Sequence, residues 1–197
     1  MARGDDPAEH RARADRRATP GRDHRQLHMI DRAGRIAAHT GSACIDWCGH
    51  RAGSATRSPA TCSPEPRVLD DTAAAFEAHG AQPLALRLLD AMAAGEAAGG
   101  DKRGKQAAAL IVYTTESYPA LDLRVDDHPE PIAELRRLYE KSLERFQPFV
   151  ACLPAARRSG RHHRPGRCIE AEVERFQAAR ASASRRLTRT RAGAEPA

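Results

Sequence analysis

The sequence predicts an α+β chain. Three patterns carry that expectation. Two short apolar strands flank a tight turn near residues 26–40. Two helical stretches fill 68–99, and a strand pair over 107–125 leads into another helix. Helical spacing of three and four residues and strand alternation of two are the periods that separate these elements.

Taken in order, Gln26 to Asp31 and Arg35 to Thr40 read as strands, with Arg32-Ala33-Gly34 as the turn of a hairpin. Residues 53–66 are rich in Ser, Thr, Pro and Arg and read as a loop without apolar pattern. Val68 to His79 is helical, with Val68, Leu69, Thr72, Ala75 and Phe76 on one face and Gly80 as its stop. Pro83 suits the first turn of a second helix. Leu84, Leu88, Ala91 and Met92 are its expected buried stripe, with Gly95 or Gly99 at its end.

Ala107 to Thr114 is apolar on both faces, which predicts a central strand. Leu121, Leu123 and Val125 alternate with polar residues in a neighbouring strand. Asp127-His128-Pro129-Glu130 has the residues of a capping box, and Ile132, Leu135, Leu138, Tyr139, Leu143 and Phe146 follow at helical spacing. Ile169, Val173 and Phe176 mark a last amphipathic helix over 168–184. The expected division is an out-of-pattern or disordered segment at 1–22, a folded domain at 23–150 and a basic extension at 151–197.

The net charge of +6 is unevenly placed. Residues 1–25 hold seven Arg against five acids, and 155–197 hold eleven Arg against four. The middle is mildly acidic. No aromatics interleave with the terminal arginines, so base stacking has no support and nucleic acid is not the expected partner. No apolar run reaches the roughly 20 residues that cross a bilayer. The first residues lack an apolar signal core, and five cysteines cannot all pair, so a reducing cytoplasm is the expected compartment.

Three constellations invite a chemical reading. Gly99-Gly-Asp-Lys-Arg-Gly104-Lys105-Gln106 approaches a phosphate loop. Gln106 cannot supply the Mg²⁺-binding hydroxyl, and this loop follows a helix rather than a strand. A helix stop with glycines at positive φ explains it better, although Lys102, Arg103 and backbone N–H groups could still hold an anion. His39, Cys44, Cys48 and His50 could ligate zinc, but they lack the tight pairs usual in zinc modules, so no metal is expected. Asp126, Asp127 and His128 offer a carboxylate beside an imidazole, and a helix cap accounts for the same residues. There is no Gly-x-Ser-x-Gly elbow.

Several blocks together resemble the domain-of-unknown-function 1028 family. They are Arg25-Gln26-Leu27, Ile30 through Gly41, Cys44, Gly49-His50 and Ala73-Ala74-Ala75-Phe76-Glu77. Leu84 to Leu89, Ala97 to Leu110 and Asp122 to Leu138 continue the resemblance. It implies an α/β/β/α sandwich of the N-terminal nucleophile hydrolase type, here an incomplete one. In that chemistry a free N-terminal Thr, Ser or Cys is both nucleophile and base.

This chain begins Met-Ala-Arg, and its first family-like residue stands near Pro20. The expectation is therefore a truncated, inactive bacterial relative of an amide hydrolase, with no catalytic residue assigned and no cofactor. The candidate cleft residues are His39, Asp101, Lys102, Arg103, Asp126, Asp127 and His128. His39 and Asp127 would orient or polarise, and Arg103 would hold a substrate carboxylate.

The alternative is a non-enzymatic module that binds peptide or cell-wall fragments, because some family members carry a peptidoglycan-binding domain. Missing strands would leave sheet edges open to a second copy. A further hypothesis concerns Pro59 to Glu65, where the family usually shows Gly-Asn-Met-Leu-Ala-Gly. A GC-rich gene read one frame over could give the residues seen here, and likewise those at 1–19 and 155–167. Resequencing the gene tests this; an unchanged frame without family-like codons in the other frames sinks it.

Overall fold

The computed structural model describes residues 20–30, 33, 35–44, 47–52, 57–63, 65–153 and 165–192. The chain is α+β and divides into two compact units, residues 1–106 and 107–197. Most of the segments at 1–19 and 155–167 that the sequence set apart lie outside the described residues.

The first unit opens on a 3₁₀ turn, Arg22–His24, and two antiparallel hairpins. Strand β1 (Gln26–Ile30) pairs with β2 (Ile36–Thr40), with Gln26 opposite Thr40 and Leu27 opposite His39. Both strands lie where the alternation placed them. Strand β3 (Trp47–Ala52) pairs with β4 (Arg57–Ser63), with a register irregularity between Trp47 and Gly49. This second hairpin corrects the loop expected over 53–66. Its pairing is made by the backbone, which apolar periodicity does not report. Pro59, which lacks an N–H, is tolerated because β4 pairs on one side only among the described residues.

Helices α1 (Arg67–Ala78) and α2 (Leu84–Ala97) complete the unit and pack on each other, and α1 also touches β3 and β4. Val68 and Leu69 are buried on α1, as the periodicity indicated. The buried face of α2 is Ala85, Leu89, Ala91 and Gly95, whereas Leu84 is exposed. The stripe is therefore rotated from Leu84, Leu88, Ala91 and Met92. Gly95 on this face meets Thr72 so closely that a β-carbon would collide with its hydroxyl, and Leu89 on the same face is fully buried. Arg87 joins the helix ends, with its guanidinium 3.9 Å above the Phe76 ring and two hydrogen bonds to the Phe76 carbonyl at 3.1 and 3.2 Å.

The second unit is built on β5 (Ala108–Val112) paired antiparallel with β6 (Leu121–Val125). Leu110, Leu121 and Val125 are buried, and Asp122 and Arg124 face outward. The sequence expected a central strand at β5. Among the described residues β5 pairs with β6 alone, and Ile111 is 49% exposed. Helix α3 (Pro131–Ser142) packs on this hairpin through Leu135 and Tyr139. Helix α4 (Phe146–Ala151) packs against α5 (Pro165–Ala192), which extends beyond both ends of the 168–184 span. Among the described residues no helix is long and apolar enough to cross a membrane.

Candidate functional site

Residues 99–106 form the turn that ends α2. Gly99, Gly100 and Gly104 have φ of 124°, 54° and 95°. Gly100 N–H donates to the Gly95 carbonyl at 3.0 Å, which closes the helix end. That closing bond, with positive φ at these glycines, is what a helix stop and tight turn require. Within the turn, Asp101 Oδ1 accepts from the Arg103 backbone N–H and Nε, each at 2.9 Å, and Oδ2 accepts from Arg103 Nη2 at 2.6 Å. The side-chain bonds from Arg103 come first in holding the Asp101 carboxyl at about 2, well below its ordinary value. Arg103 is thus engaged by its own loop, and a substrate carboxylate would have to displace Asp101. Lys102 is exposed, and Lys105 is ion-paired with Glu96.

His39 stands on β2, with Nε2 3.4 Å from the Arg22 carbonyl. The neighbouring Cys44 and Cys48 are half-buried and outside the disulfide. Among the described residues no group of three or more His, Cys, Asp or Glu side chains is arranged to hold a metal.

A polar cluster that sequence reasoning did not assemble ties the two hairpins of this unit together. Gln26 Nε2 lies 3.1 Å from Thr40 Oγ1, 3.2 Å from the Ala60 carbonyl and 3.4 Å from the Gly49 carbonyl. Thr40 Oγ1 is 3.2 Å from His50 Nδ1. His28 approaches the same imidazole edge to face, with ring centroids 6.4 Å apart. Thr40 is fixed from behind by Gly41, whose N–H donates to the Arg25 carbonyl at 2.9 Å. A β-carbon at Gly41 would run into the Asp23 carbonyl.

In the second unit, Asp126 accepts from Arg124 Nη2 at 2.9 Å, and that bond raises the Arg124 pKa. Helix α3 begins at Pro131 with Glu130 as N-cap and no side-chain cap bond from that residue, so the cap lies three residues after the Asp127 that the sequence marked for it. His128 Nδ1 accepts the Glu130 backbone N–H at 3.0 Å, and Pro131 brings no N–H to satisfy. His128 is thereby a local turn organiser. His39, Asp101, Lys102 and Arg103 belong to the first unit, and Asp126, Asp127 and His128 to the second.

The second unit also contains a cavity of about 260 Å³. Thr114, Thr115, Glu116 and Tyr118, from the connection between β5 and β6, line one side. Gln147 and Val150 of α4 and Phe176 of α5 line the other. Gln147 is oriented by its Nε2, which donates to Ser142 Oγ at 2.8 Å, and Ser142 Oγ donates onward to the Tyr139 carbonyl at 2.6 Å. A disulfide between Cys152 and Cys168 joins the end of α4 to the start of α5, with Cα atoms 6.0 Å apart, within the usual range. No structural role for Cys168 was legible in the sequence, because the arginine-rich stretch before it shows no apolar pattern.

A model of a family of unknown function (DUF1028) matches residues 1–135. The chain belongs to that family. A protein from Silicibacter pomeroyi with the same family designation has a similar crystal structure, with a TM-score of 0.68 at 28% identity. The similarity covers 80% of this chain and 70% of that one. No curated protein matches the sequence. The family description assigns no reaction, so chemistry has to be argued from the side chains themselves.

Proposed function

We propose that the chain is a binding module for short peptides or similar amine-bearing amide fragments, seated in the cavity of the second unit. The supporting observation is the composition of that cavity. Among the described residues Glu116 is the one charged side chain in its lining, two threonine hydroxyls and the Gln147 amide can serve peptide N–H and C=O groups, and Val150 and Phe176 supply apolar surface. Pockets that bind small ligands combine a largely apolar lining with a few placed polar groups. At about 260 Å³ the cavity suits one residue-sized fragment rather than a long chain. Cell-wall peptides, which carry free amines beside amide bonds, are one source of such ligands.

This reading sets the module on an α/β/β/α scaffold of the N-terminal nucleophile hydrolase type. It assigns recognition to the second unit without requiring an N-terminal nucleophile. Calorimetric titration of the full chain with alanyl-lysine amide tests it. Saturable binding is expected, and Glu116→Gln should weaken it about tenfold, equivalent to about 1.4 kcal/mol. Equal affinity of wild type and Glu116→Gln, or no binding at millimolar peptide, contradicts the reading.

A further inference from the structure

We propose that Thr40 and His50 form a hydroxyl–imidazole pair able to carry acyl groups, with small esters as its simplest substrates. The inference rests on the first unit alone and is independent of the peptide seat proposed above. Three observations support it. Thr40 Oγ1 and His50 Nδ1 are at hydrogen-bond distance, 3.2 Å. Gln26 Nε2 has only hydrogens to give and lies 3.1 Å from Thr40 Oγ1, so that oxygen accepts from Gln26 and keeps its own proton to donate to His50 Nδ1 in the tautomer that carries the ring proton on Nε2. Finally, His50 is exposed and Thr40 is only partly buried, so an acyl donor and water can reach the pair. A nucleophile within hydrogen-bond reach of a base, held by a third polar group, is the arrangement that covalent catalysis needs.

The step balances with no outside reagent. Thr40 Oγ attacks the ester carbonyl carbon, and its proton passes to His50 Nδ1. The tetrahedral carbon then expels the alkoxide, which takes that proton and leaves as the alcohol. Water attacks the acyl–Thr40 ester, giving its proton to His50. Thr40 Oγ leaves, recovers the proton, and a carboxylic acid departs. Thr40 and His50 are the reacting groups. Gln26 is a positioning residue, because it acts by fixing the direction of the Thr40 hydroxyl. Gly41 contributes by seating the end of β2 against the 3₁₀ turn, where no side chain fits.

The bland reading of the same contacts is a polar staple between two hairpins. Reaction of the full chain with p-nitrophenyl acetate separates the two. The proposal expects an acetyl group on Thr40, located by peptide mass spectrometry. It expects Thr40→Ser to retain acylation and Thr40→Val to abolish it. His50→Gln should slow acylation by about a hundredfold, the scale of a positioned general base. Should Thr40→Val lose its fold by circular dichroism, Thr40→Ser and the mapped acetyl position still decide. Acetylation confined to lysines or to the N-terminus, with unchanged rates in Thr40→Val and His50→Gln, overturns the proposal.

Discussion

In the first unit, polar side chains bridge two hairpins: Gln26, Thr40 and His50 connect β1, β2, β3 and β4 across 10 to 34 positions of sequence. In the second unit, a covalent bond connects Cys152 to Cys168 across 16 positions, and the polar groups line a cavity beside it. One unit holds its functional groups by mutual hydrogen bonding and close backbone contact, the other by tethering the helices that wall the site. The first arrangement is sensitive to added bulk, and the second to loss of the tether. The two proposals fall on these two arrangements, acyl transfer at the exposed pair and peptide recognition in the concave seat.

The largest effects should come from the two cores, because each unit has its own fully buried leucine. Leu89→Ala and Leu135→Ala should each cost about 3 kcal/mol, the usual scale for truncation at a closed site. Hydrogen exchange should show the loss concentrated in the unit that carries the substitution. Protection lost equally throughout would merge the two units into one cooperative body and break the comparison.

Next comes the tether. Cys152→Ser should cost the second unit about 3 kcal/mol, the chain-entropy value for a loop of this size. A urea melt with and without reductant measures this: wild type should fall to the level of the variant when reduced, and the variant should be indifferent. A wild type unmoved by reductant would remove the disulfide from the account.

A glycine pair gives a smaller, sharper contrast. Gly41→Ala places a methyl group against the Asp23 carbonyl and should cost about 2 kcal/mol. Gly104→Ala meets nothing within 4 Å, so only the strain of φ 95° remains, about 1 kcal/mol. Thermal melts that rank the two the other way would show that the seat of β2 is looser than described.

The smallest effect concerns Asp101. Its carboxyl is depressed to about 2 by Arg103, so any stability it adds is present above its unfolded value near 3.8 and is lost as pH falls through about 2. In a carboxyl NMR titration, Arg103→Gln should move the Asp101 midpoint up toward its ordinary value. An unmoved midpoint would show that Arg103 is not the cause.

Much of the fold was legible because apolar periodicity reports burial. Val68, Leu121 and Leu135 all marked elements that formed and are buried in them. The hairpin of β3 and β4 was not legible, since its strands are paired by backbone groups and carry Ser, Thr, Arg and Pro. The turn after α2 was visible through its glycines, but the Asp101–Arg103 pair inside it was not, and Arg103 was expected to hold a substrate carboxylate instead. Thr40 with His50, and Glu116 with Gln147 and Phe176, were not visible either, because their partnership exists only after the chain has folded. A hydroxyl at the end of one strand and an imidazole on the next would have been the sole clue. The cap at α3 failed for a related reason: the helix starts one turn later than its acids suggest.

Backbone amide shift mapping with alanyl-lysine amide tests the central claim most directly. The account predicts saturable shifts concentrated at residues 114–118, at 147–151 and around Phe176, reduced when the disulfide is cleaved. Shifts confined to the first unit, or none at all, would contradict it.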